Sequence, residues 1–161
     1  MSRTRAAVGG AAAATVWAAL EPLDMRLLRN DFSDIALLGK AATRSRWWPA
    51  AGLAIHATNG AVLGLVFDEL SRRTRLPERR LALGLALAEH TLLFPLGAFV
   101  DRKHRARGEP GLAPMFNLRG FAQETLRHTV FGLAFGRLAC RHSLTTRRAL
   151  FASGQQRAGV R

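Results

Sequence analysis

Cysteine occurs once, at Cys140, which excludes an intramolecular disulfide and leaves no cysteine cluster for a metal. Soluble-enzyme signatures are missing too: there is no G-x-S-x-G elbow, phosphate loop, dinucleotide fingerprint or H-E-x-x-H pair. Ser33 has no histidine close by in sequence to activate it as a nucleophile. Acidic residues are few, 11 against 24 Lys and Arg, and the formal charge is +13. Charge of either sign is nearly absent from two long stretches. Trp48 to Phe67 contains none, and Leu81 to Val100 contains only Glu89.

Each of those runs is 20 residues long, and about 20 apolar residues let a helix cross a hydrocarbon core of ~30 Å. Mean hydropathy over the chain is only +0.03 because the arginines gather between the apolar runs. That segregation excludes the ordinary reading of a basic chain as a nucleic-acid binder, whose arginines would line one helix face above an apolar stripe. The expected partner is a lipid bilayer, with anionic headgroups against the basic loops. A homo-oligomer or a second membrane protein is the other partner class that such a chain admits.

Four apolar segments predict an all-α fold, an antiparallel four-helix transmembrane bundle forming a single membrane domain. The spans are about 6–20, 48–67, 81–100 and 120–140, followed by a basic tail over 141–161. The first is short and rich in Ala and Gly, and Glu21-Pro22 should stop or kink it. With Arg3 and Arg5 before it, this segment also fits a cleavable signal peptide, so residues 1–20 are either a retained span or removed. Within residues 21–46, Ser33 is a candidate N-cap, and Ile35, Leu38 and Ala42 share one apolar side, which predicts a short interfacial helix. Residues 101–119 hold Gly108, Pro110, Gly111 and Pro114 and read as irregular loop. Alternating the connections across the membrane leaves 13 Lys and Arg on the side of both termini and 10 on the other, so both termini should be cytoplasmic. Trp17, Trp47 and Trp48 then fall toward the outer interface.

His56, Gly60 and Gly64 recur as His128, Gly132 and Gly136, an H-x3-G-x3-G pattern repeated after 72 residues. Residues four apart share a helix face, and small faces let helices approach closely in lipid. The two patterns therefore predict tight packing and allow two repeated helical hairpins. Ionisable groups at mid-span carry the functional question. His56, His90 and His128 occupy similar depths in their runs, and with Asn59, Glu89, Glu124 and Arg127 they form a candidate midplane polar cluster. Arg127 needs a carboxylate partner, with Glu124 on its own helix and Glu89 as the cross-helix candidate.

Two readings of the cluster stand side by side. In one it fixes helix register in a multi-pass protein of structural or accessory role, with no cofactor and no catalytic residue. In the other, imidazoles on facing helices hold haem or a metal for redox chemistry, or relay protons or small solutes. No E-x-x-H pair supports a metal. The segments EPLD, DFSDIALLGKAATR, HATNGAVLG, EH followed by Pro95, VDRKHRARG and FAQETLRHTVFGLAFG resemble a family of small four-span integral membrane proteins of high-GC bacteria. The similarity covers most of residues 15–140. It implies membrane location and four helices, and it supplies no reaction and no site residues; the expected location is the bacterial cytoplasmic (inner) membrane.

Overall fold

The structure is a computed structural model that describes residues 2–140; the basic tail 141–161 lies outside them. Helix α1 spans Arg3–Leu28, α2 Asp34–Ala42, α3 Trp48–Arg73, α4 Glu78–Leu93, α5 Gly97–Lys103 and α6 Leu118–Cys140, with a single 3₁₀ turn at Phe94–Leu96 joining α4 to α5. The fold is all-α. Phe32 and Leu112 form an isolated antiparallel bridge between two connections.

Helix α1 runs through Pro22, which the sequence marked as a stop or a kink. A proline costs a helix one backbone hydrogen bond, but its neighbours Glu21 and Asp24 hold this turn in place through partners on other elements. The helix ends at Arg29, whose left-handed backbone (φ 50°, ψ 45°) turns the chain back on itself. Beyond the turn, Ser33 accepts a hydrogen bond from the Ala36 N–H and so caps α2.

Helix α2, expected as a short interfacial helix, buries one side through Ala36, Gly39 and Lys40. It packs lengthwise on the start of α3, where a β-carbon at Gly39 would overlap the Trp48 carbonyl and one at Gly52 the Ile35 carbonyl. Its first residue, Asp34, reaches Arg127 in the interior at 3.2 Å. The reason lies in its amino terminus. Glu21 accepts from the Asp34 N–H at 2.9 Å and the Ile35 N–H at 3.3 Å, drawing the positive end of the helix inward.

The long helices alternate in direction. Ala6 lies against Gly64 and Gly10 against Gly60, so α1 and α3 are antiparallel. Gly132 meets Leu83 and Gly136 meets Arg79, so α4 and α6 are antiparallel as well. Helix α6 also runs antiparallel along α1, with Phe135 beside Gly9 and Arg127 beside Asp24. Ala13, Ala14, Phe67, Ala82, Ala86, Phe131 and Phe135 fill the apolar core. Trp17, expected near an interface, is 4% exposed and belongs to that core.

Outward-facing positions include Val8, Leu27, Leu92 and Phe99, all strongly exposed. So much apolar surface suits hydrocarbon better than water. Three helical stretches, Arg3–Leu28, Trp48–Arg73 and Glu78–Lys103, are long and apolar enough to cross a membrane. At 26 residues each they would extend about 39 Å at ~1.5 Å per residue, which overruns the apolar runs. The chain is therefore a multi-span, largely helical protein of membrane type. Helix α6 is long enough but carries Arg119, Glu124, Arg127 and Arg137.

The first and third connections interlock at one end of the molecule. The Ser33 N–H donates to the Gly111 carbonyl at 2.9 Å, and the Ala113 N–H to the Asp31 carbonyl at 2.8 Å. Lys40 donates to the Pro110 carbonyl and pairs with Glu109, which Arg44 also contacts. The Arg44 hydrogen bond, together with Lys40, holds the Glu109 carboxyl below the usual carboxylate range. Gly108 and Gly111 take positive φ values of 79° and 80°, which a glycine adopts without steric cost.

Candidate functional site

Arg127 is 2% exposed, and every one of its donors is used. Nε and one terminal nitrogen bind Asp24 in bidentate fashion at 2.7 and 2.8 Å, and that terminal nitrogen also donates to the Phe32 carbonyl at 2.8 Å. The other donates to Glu124 at 3.1 Å and Asp34 at 3.2 Å. A guanidinium has five N–H donors, so nothing is left over. Trp17 and Phe32 cover the group, with ring centres 5.3 and 5.8 Å away. Unpaired, this charge would cost several kcal/mol of burial; here the compensation is complete.

Gln123, fully buried, extends the network. Its amide nitrogen donates to Asp24 at 2.6 Å and to the Phe32 carbonyl at 3.2 Å, while its oxygen accepts from Asn30 at 2.6 Å. Glu21 accepts from the Ser33 hydroxyl at 2.5 Å. A buried His-, Glu- and Arg-containing polar network thus ties α1, the reversed segment after it, α2 and α6 together.

The cross-helix partner of Arg127 is Asp24, with Asp34 beside it, in place of Glu89. Glu89 faces His128 instead, at 3.7 Å from Nε2. Asp24 and Asp34 come within reach because α1 continues past Pro22 and the chain then reverses. Sequence reasoning took Glu21-Pro22 as an end and so missed Glu21, Asp24 and Asn30. The available signal was the i,i+3 spacing of Glu21 and Asp24, which puts both carboxylates on one helix face.

The three mid-span histidines form a row. Trp17 lies between His56 and His128, with ring centres 5.9 and 5.5 Å apart, and His128 continues to His90 at 5.1 Å. His90 is buried, and its Nε2 bonds the Thr125 hydroxyl at 3.0 Å. His128 Nδ1 lies 2.8 Å from the Glu124 carbonyl.

Beside this row is a cavity of about 170 Å³. Asp34, His56, Asn59, Glu89, Glu124 and His128 supply its polar wall, and Ala14, Trp17, Leu37, Leu63 and Phe131 are among its apolar lining. Asn59 is exposed and Glu89 half-exposed, so both stand at the rim. His90 and Arg127 lie behind the wall. The glycines serve packing: Gly60 and Gly64 bring α3 onto α1, Gly132 brings α6 onto α4, and Gly136 lies beside Arg79. Among the described residues, no three His, Cys, Asp or Glu side chains are grouped to hold a metal ion.

Comparison with protein-family models, with curated proteins and with solved structures finds no match to this chain. The resemblance to small four-span proteins therefore rests on the short motifs alone, and the site must be read from its own chemistry.

Proposed function

We propose that the chain is a four-span protein of the bacterial cytoplasmic membrane, termini inside, that admits a small polar solute or a proton to an intramembrane cavity. The observation that carries this reading is the cavity wall, where Asp34, His56, Glu89, Glu124 and His128 converge from four helices. Ionisable groups at membrane depth are costly and mark pathways and relays. A structural or accessory role accounts for the saturated Arg127 network, but it needs no cavity lined by further acids and imidazoles.

Support for a fourth span comes from α6 itself. Its 23 residues suffice in length, and Glu124 and Arg127 turn their charge inward, where it is paired. A four-helix bundle of two repeated hairpins draws support from packing register. Gly60 meets Gly10, and Gly132 meets Ala82 and Leu83, so the contact recurs after the same 72 residues as the histidine pattern. Orientation rests on the excess of basic residues on the side of the termini.

Purified protein reconstituted in vesicles containing a pH-sensitive dye tests the role. An imposed pH difference should dissipate faster than in protein-free vesicles, and Glu89→Gln should slow it while leaving the melting temperature near wild type. Dissipation equal to that of empty vesicles would overturn the proton reading.

A further inference from the structure

A backbone carbonyl has no hydrogen to give, so the nitrogen facing it must donate. His128 Nδ1 lies 2.8 Å from the Glu124 carbonyl and therefore carries a proton. In the neutral imidazole that leaves Nε2 bare, an acceptor with its lone pair outward. Glu89 Oε2 stands 3.7 Å from that nitrogen, and both side chains line the cavity.

His90, its ring centre 5.1 Å from that of His128, is fixed the other way. The Thr125 hydroxyl gives its one hydrogen to the Phe121 carbonyl at 2.8 Å, so at 3.0 Å it accepts from His90 Nε2. Two adjacent imidazoles thus hold opposite tautomers. Their surroundings differ as well. Around His128, Glu89 of α4 lies at 3.7 Å and Glu124 of its own helix at 3.8 Å, and Asp34 of α2 shares the cavity. Arg127 is the opposing charge, and it is turned to Asp24, Asp34 and Glu124. Neither His56 of α3 nor His90 has a carboxylate within 4 Å among the described residues, so an imidazolium is best compensated at His128.

Resting on the proton reading of the cavity above, we propose that His128 receives the admitted proton, at Nε2, from Glu89. The Glu89 O–H bond breaks and an Nε2–H bond forms. Glu89 is left as a carboxylate, and His128 becomes an imidazolium whose Nδ1–H stays on the Glu124 carbonyl. The pair must close from 3.7 Å to about 2.6–3.2 Å for the transfer. Glu89, with a side chain 33% exposed at the rim, is the partner with room to move. His90 takes no part, because its Nε2–H is committed to Thr125.

Two measurements on the full chain test this assignment. In nitrogen-15 NMR of histidine-labelled protein in detergent, at a pH where both rings are neutral, His128 should show a bare Nε2 and His90 a bare Nδ1, with His128→Asn and His90→Gln assigning the signals. In the dye-containing vesicles, His128→Asn keeps an N–H donor for the Glu124 carbonyl but has no basic nitrogen. It should slow dissipation by about tenfold or more and hold the melting temperature near wild type. His90→Gln keeps a donor for Thr125 and should dissipate at the wild-type rate. A proton found on Nε2 of neutral His128, wild-type dissipation by His128→Asn, or equal slowing by His90→Gln would each overturn the proposal and spare the cavity reading. Wild-type vesicles no faster than empty ones would sink the proton reading and this assignment together.

Discussion

Arg127 shows why a strongly charged residue can sit in an apolar helix. All five donors find acceptors and two rings cover the planar faces, so the cost of burial is met inside the protein. Arg127→Gln leaves Asp24 stranded, and Asp24→Asn leaves the guanidinium half unpaired; each should cost about 3–5 kcal/mol. The double variant should be less destabilised than the sum, and denaturation in detergent measures the difference. The parallel cycle of Glu89→Gln with Arg127→Gln should be close to additive, since Glu89 faces His128. Strong coupling in the second cycle and none in the first would contradict the network.

The elements depend on close backbone approach. A β-carbon at Gly10 would overlap the Gly60 carbonyl, and neither helix can yield without opening the interface. Gly10→Leu should cost at least about 1–3 kcal/mol, seen as a lower melting temperature. Gly84 has open space around it, so Gly84→Ala should be neutral or stabilising by about 0.5–1 kcal/mol through helix propensity. Where α2 meets the third connection, Glu109 is bound by Arg44 and Lys40. Because these contacts lower its folded-state pKa, their contribution is present above the usual carboxylate range and is lost as pH falls through the lowered value. Hydrogen exchange of residues 106–113, corrected for intrinsic rate, should therefore show full protection at neutral pH and loss on acidification. Glu109→Gln should show the weakened protection at every pH.

For the whole molecule, the decisive measurement is topology. Reporter fusions after residues 45, 75, 110 and 155 should read outside, inside, outside and inside. An outside signal after residue 155 would remove α6 from the membrane. The two positions expected outside, 45 and 110, lie at one end because their connections are bonded to each other through residues 31–33 and 111–113. Arg3, near the amino terminus, lies 3.9 Å from Glu69 at the end of α3, toward the opposite end.

Local composition determined the helices and their membrane character. Trp48 to Phe67 and Leu81 to Val100 could be little else, because twenty apolar residues have no other place to bury their backbone polar groups. The same holds for the presence of a buried polar network: Arg127 in an apolar helix announces a partner before any partner is known. Which partner was a tertiary decision. Asp24 lies 103 residues from Arg127, behind a proline that reads locally as a helix end, and Asp34 enters the core only because Arg29 reverses the chain. Pairing in a low-dielectric interior rewards whichever carboxylate the fold delivers, and delivery depends on turns and packing that no short window of residues contains. The cavity is the clearest case. Its wall is drawn from α1, α2, α3, α4 and α6, so it exists only once those five elements have met.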